Sequence, residues 1–309
     1  MSGVYGEVRS PSPSLIAPPQ EEEARYPFAR VWVSVRNLIA GTFILAIAGY
    51  ALLLFGIEVD PDYFSAIHLI IATLPGLLWF IFARFPESRA EIPRTGLAST
   101  FVVAALVANG LALPFLNSVM RLEEWLPLAD PLTRLIGYTL SVGVVQELSK
   151  YMVVRAIVWE NRLYQRVDAI AYYTAAAVGY ASAVSLAQAL TRPSTPAFAT
   201  FDTFTTFAFS LAPSLLVSYA LAETRLARAS AFLLPSAFAL AALLYGLLVT
   251  IRGLLTNAAL TLAGQAQVSA PSPLIGVAIA ALAPILIAVV VSFLIANAER
   301  RELEIRSGG

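Results

Sequence analysis

The residues of this chain best placed to do chemistry are Gln146, Glu147 and Lys150, in the run Gly143-Val144-Val145-Gln146-Glu147-Leu148-Ser149-Lys150. They set an amide, a carboxyl and an ammonium into an apolar stretch. Lys150 is the only lysine in the chain, and nearly all the arginines sit at the ends of hydrophobic segments. A charge at membrane depth costs roughly 2.5 to 3.5 kcal/mol on insertion scales, so such residues are kept for a structural or a functional reason. On a helix, Glu147 and Lys150 are three apart and Gln146 and Lys150 four apart, and both pairs meet on one face. The cost of showing that face to lipid predicts that it turns into a helical bundle. Lys150 lies roughly 7 to 8 Å from Arg155 along a helix, within reach of the headgroup region by snorkelling. Desolvation opposes the charge on Glu147 and the lysine favours it, the tension by which enzymes hold a general base near neutrality. The same spacing also describes a self-neutralising pair that packs one helix against its neighbours. Spacing alone leaves both readings open.

The elements that must position these groups are membrane helices. The 309 residues are 58% hydrophobic and 13% charged, with a mean hydropathy of +0.74, far more apolar than a soluble domain. This predicts an all-α polytopic bundle. Basic and acidic residues balance at 20 each, which gives no reason to expect nucleic acid. With no cysteine, disulfides, thiolate metal sites and a cysteine nucleophile are excluded, and His68 alone remains for imidazole chemistry.

Residues 1–28, with Ser-Pro and Glu-rich runs, read as a disordered cytoplasmic tail and not as a signal peptide. Residues 29–299 read as one transmembrane domain and 300–309 as a short cytoplasmic tail. About 20 apolar residues cross a bilayer, and eight segments qualify: Asn37–Ile57, Ala66–Phe85, Leu97–Val119, Leu135–Trp159, Ala169–Leu190, Thr205–Glu223, Ala231–Leu255 and Leu274–Ala298. Pro75, Pro114, Pro213, Pro235 and Pro284 predict kinks, not breaks. Thr256 to Pro273 reads as a loop or re-entrant segment. Arginines cluster before the first span, after every even-numbered one, and thinly elsewhere. By the positive-inside rule both termini are cytoplasmic.

The segment Gln146 to Arg155, then Val167-Asp168-Ala169-Ile170 and Ala175-Ala176-Ala177-Val178-Gly179-Tyr180-Ala181, resembles the PrsW family of intramembrane proteases. That family has a Glu-Glu-x-x-Lys helix, an Asp-Gly helix start and a Gly-Phe-Ala-x-x-Glu-Asn element. The resemblance implies a multi-pass protein of a bacterial-type cytoplasmic membrane, a glutamic or metallo-type peptidase chemistry, and single-span membrane proteins as substrates or partners alongside the lipids. It places Glu147 and Lys150 on the second glutamate and the lysine, and Asp168 on the aspartate. Catalytic roles accordingly fall on Glu147, Gln146 and Lys150.

The chain departs from the pattern at several positions. The first glutamate is Gln146, Val184 and Ser185 stand where the family has Glu-Asn, and Tyr245-Gly246 stands where a histidine is expected. No histidine follows His68, so the ligands for a family metal are not found and no cofactor is expected. A water needs a base, and an oxyanion needs donors or a metal, so the expectation is weak or absent hydrolysis. Two rivals stand beside it: a non-catalytic binder of membrane segments and a proton-coupled transporter using Glu147 as carrier. Tyr172, Tyr173 and Tyr180 are candidates to line a polar cavity, Asn109 and Gln188 to hydrogen-bond between helices, and His68 to pack at an interface.

Overall fold

The computed structural model describes residues 30–56, 59–90, 93–158, 163–227, 229–262 and 273–307. The tail read over 1–28 and the centre of the segment read as a loop, 263–272, lie outside them. Among the described residues, eight long helices follow one another. They are α1 (Arg30–Leu54), α2 (Phe64–Trp79) and α3 (Leu97–Val107); α4, made of Pro131–Tyr138 and Val144–Val158 joined by a π-helical turn; and α5 (Arg166–Thr191), α6 (Pro196–Leu226), α7 (Leu233–Leu262) and α8 (Pro273–Ser307). The described residues contain no strand.

Local chemistry sets the ends. Asp130 accepts from the amides of Leu132 and Thr133 ahead of Pro131 at the start of α4. Gln165 and Asp168 form a reciprocal capping box on α5, and Pro196 occupies the first turn of α6 behind Thr195. Among the described residues, seven helices are long and apolar enough to cross a membrane. Against the eight expected from sequence, the difference is α4. It runs unbroken from Pro131 to Val158, about 40 Å at 1.5 Å per residue, and so is long enough, but Gln146, Glu147 and Lys150 lower its hydropathy. A span that hides its polar face inside a bundle need not be apolar all round.

α5 and α6 are the centre. Their apolar stretches are 89% and 83% buried, against 28–39% for the other spans, which turn one side outward. α6 packs on α5, α7, α8, α1 and α2, and α5 also packs on α2, α3 and α4. Small residues permit the approach. A Cβ on Gly179 of α5 would lie 2.2 Å from the Phe101 carbonyl oxygen of α3, and one on Gly143 of α4 would lie 2.7 Å from the Ala242 carbonyl oxygen of α7.

The helices run longer than hydropathy suggested. α6 begins at Pro196 instead of Thr205, because Asp202 and Thr203, which lower hydropathy, face the protein: Thr203 is buried and Asp202 pairs with Arg252 at 3.2 Å. α7 continues to Leu262, so the start of the segment read as a loop from Thr256 is helical, and α8 carries the residues read as a C-terminal tail on to Ser307. Pro75, Pro213 and Pro284 lie inside unbroken helices, whereas Pro235 sits in the first turn of α7, where its missing N–H costs nothing. The helical path also includes π turns at Phe80–Arg84, Ala108–Ala112, Phe115–Val119 and Thr139–Gly143.

Candidate functional site

The π turn Thr139–Gly143 ends immediately before the Gln146-Glu147-Lys150 face, and such turns often re-aim side chains at functional sites. Gln146, Glu147 and Lys150 are all buried, the last two with no exposed surface. Lys150 Nζ donates to Glu147 Oε1, to Ser214 Oγ at 2.7 Å and to the Ser210 carbonyl oxygen at 3.1 Å. Ser214 Oγ lies 3.3 Å from Glu147 Oε2 and 2.8 Å from the Ser210 carbonyl oxygen, and Ser210 Oγ donates to the Ala177 carbonyl oxygen at 3.1 Å. The Tyr180 ring lies 5.7 Å from the ammonium. Lys150 therefore does not snorkel. Its three donors are taken inside the bundle, where pairing and hydrogen bonds offset the cost of burying the charge.

Beside this cluster lies a cavity of about 170 Å³, at the end of the bundle where α5 finishes and α6 starts. Its polar lining comes from Gln146, Tyr180, Gln188, Asp202, Thr206, Ser210, Tyr245 and Arg252. Glu147, Lys150 and Ser214 do not line it; Gln146 and Ser210 stand between. The motif thus divides. Gln146 presents its amide to the cavity, and Glu147 turns behind it.

Asp168 is elsewhere. It starts α5, about 13 Å by helix rise from Ala177 at the cluster, and is fully buried. Its Oδ2 accepts from the amides of Tyr164 and Gln165, at 3.0 and 2.9 Å, and its Oδ1 from Arg94 Nε at 2.7 Å. Arg94 also binds Glu87 through its Nη1 at 2.9 Å. Arg166 pairs similarly with Glu223 of α6. Arg94 and Arg166, which the arginine distribution counts among the cytoplasmic loop charges, are buried clamps: Arg94 ties Glu87 to the start of α5, and Arg166 ties α5 to α6.

The remaining candidates separate in the same way. Tyr180 lines the cavity, Tyr172 donates to the Thr95 carbonyl oxygen at 2.8 Å, and the buried Tyr173 hydroxyl has no hydrogen-bond partner among the described residues. Gln188 lines the cavity, while Asn109 is exposed and joins no helices. His68 is buried with Nδ1 3.4 Å from Ser194 Oγ, away from the cavity lining. Sequence reasoning missed Ser210, Ser214, Asp202, Thr206 and Arg252, and no motif marks them. One signal was available. Ser210 and Ser214 are four apart in an otherwise apolar run, the spacing that presents two hydroxyls on one face.

Residues 92–197 match the sequence model of the family described as PrsW family intramembrane metalloprotease. They form a PrsW-family region. Comparison with curated proteins, and separately with solved structures, gave no match. The PrsW region holds α3, α4 and α5, hence the whole Gln146-Glu147-Lys150 face, but ends before Asp202, Ser210, Ser214, Tyr245 and Arg252. The family description implies a metal, and the donors here do not fit one. The chain has one histidine and no cysteine, no group of three His, Cys, Asp or Glu among the described residues is placed to hold an ion, and Glu147 is engaged by Lys150 and Ser214.

Proposed function

We propose that this chain is a peptidase-lineage membrane protein that takes polypeptide segments of other membrane proteins at the Gln146–Glu147 site, with hydrolysis weak or absent. The PrsW region supports a protease-like origin. One observation carries the rest: Glu147, the residue placed to act as base, has no exposed surface, so no water-sized space adjoins its carboxylate. A general base must reach the water it deprotonates within about 3 Å, directly or through one water. The only acid of the motif is instead held by Lys150 and Ser214, and the group that does face the cavity is an amide, which offers hydrogen bonds but takes no proton.

The same observation favours binding over turnover. A cavity faced by Gln146, Gln188, Tyr180 and Tyr245 retains partners for a polypeptide, and the carboxylate in its lining, Asp202, is paired with Arg252. By the arginine distribution the termini are cytoplasmic and the cavity sits in the outer half of the bundle, in the plasma membrane of a bacterial-type cell.

The test is a reconstituted assay with a mixed library of single-span membrane substrates, comparing the native chain, Gln146→Glu and Glu147→Gln. The expected result is no cleavage above background by any of them. Gln146→Glu returns a carboxylate to the cavity, but the donors for an oxyanion or metal stay missing, and these are worth about 10²- to 10³-fold on their own. Clear cleavage by the native chain that disappears in Glu147→Gln would show that a histidine-free site suffices, and would overturn the reading.

A further inference from the structure

Two carboxamides face the cavity without a partner. Gln146 is 2% exposed and its Nε2 is buried with no hydrogen-bond partner among the described residues; Gln188 Oε1 is in the same state. A buried amide left unpaired costs on the order of 1 to 3 kcal/mol, so the site is built to be completed by a ligand. Whichever way each side chain is turned, a carboxamide offers one acceptor and two donors. The pair therefore presents a complementary donor and acceptor to whatever lies between.

The charges nearby narrow the ligand. Asp202 and Arg252 at the rim pair with each other at 3.2 Å, and Lys150 behind the wall pairs with Glu147. No wall charge is left to neutralise an ionic guest. From the two free carboxamides and the self-paired charges, we infer that the cavity is an amide-recognition pocket. It takes the asparagine or glutamine side chain of a membrane-spanning helix that docks against the bundle.

Such a side chain gains from the exchange. On a lone helix in lipid, an amide beyond the reach of headgroups has no partner, and the pocket supplies two. Gln146 donates to its carbonyl and Gln188 accepts from its amino group, with Tyr180, Tyr245 and Thr206 enclosing the pair. This rests on the reading that the chain takes polypeptide segments, and specifies which ones.

The experiment measures association in vesicles by energy transfer between the labelled full chain and labelled Leu-Ala single-span peptides carrying Asn, Leu or Asp at the depth of the pocket. The Asn peptide is expected to bind about eightfold more tightly than the Leu peptide, the size of two interhelical hydrogen bonds in a membrane, with Asp no better than Leu. Gln146→Leu and Gln188→Leu should each reduce that preference and together abolish it, while Asn109→Leu, on an exposed face, leaves it intact. Thermal unfolding of each variant confirms that it folds; if Gln146→Leu does not, Gln146→Met serves in its place. Equal binding of Asn and Leu peptides, with the carboxamides holding only water, would overturn amide recognition while leaving segment binding standing. Absence of binding by every peptide would remove both.

Discussion

At the scale of residues, the decisive fact is how Glu147 and Lys150 neutralise one another. A carboxylate and an ammonium buried together are tolerated only when geometry and hydrogen bonds offset their lost hydration, and removing one partner alone strands the other. Glu147→Ala is therefore expected to cost about 3 to 5 kcal/mol of stability, read by denaturant unfolding in bicelles. The double variant Glu147→Leu with Lys150→Met should return to native stability or exceed it. A double variant as unstable as the single one would show that Ser210 and Ser214, not the ion pair, hold the site. The pairing was legible in the sequence, because three residues of helix bring the two groups to one face. What was not legible was its direction. Nothing in the spacing distinguishes a lysine that reaches for headgroups from one that reaches for the backbone of a helix sixty residues later, and the four-residue spacing of Ser210 and Ser214 sets two hydroxyls on one face without naming the group they meet.

Helices and their contacts decide where that pair can sit. α5 is lined by Ala175, Ala176, Ala177, Gly179 and Ala181, all buried or packed against a neighbour, and the small side chains allow α3, α4 and α6 to close around it. Gly179→Ala places a methyl 2.2 Å from the Phe101 carbonyl oxygen. Backbone must move to admit it, and overpacking of this kind costs roughly 1 to 3 kcal/mol. The expected outcome is a lower melting temperature together with a weaker preference for the Asn peptide, since Tyr180 at the cavity wall is the next residue. Gly110, with open space around its Cβ position, is the matched control and should lose much less. Helix positions were readable from hydropathy to within a turn for α5 and, counting the π turns that carry it on to Val119, for α3. The errors cluster where polar residues face inward: Asp202 and Thr203 shortened α6 on paper, and the motif itself made α4 the least apolar span. Hydropathy averages over a helix's circumference, so it misjudges a helix that is polar on its buried face alone.

For the whole molecule, the same averaging bears on which side of the membrane each end lies. Arginine bias predicts cytoplasmic termini, but the structure removes two of its votes, since Arg94 and Arg166 are internal clamps. The bias survives on Arg36, Arg84, Arg89, Arg155, Arg225, Arg300 and Arg301, against Arg121, Arg134, Arg192 and Arg252 at the other end. Of the latter, Arg252 pairs with Asp202 and Arg192 with Glu123, so their charges are already answered by protein. The helix count makes this testable. If α4 crosses the bilayer despite its hydropathy, eight crossings return the C-terminus to the side of the N-terminus; if it does not, the two ends lie on opposite sides. α8, at 35 residues, is about 52 Å long and exceeds the roughly 30 Å hydrocarbon core, so its charged end projects well clear and tolerates a reporter. Reporters before Arg30, between Gln265 and Ser272, and after Arg306 are expected to read cytoplasmic, outside and cytoplasmic. Opposite readings at the two termini would take α4 out of the membrane, and with it the argument that Glu147 and Lys150 are buried from lipid instead of from water.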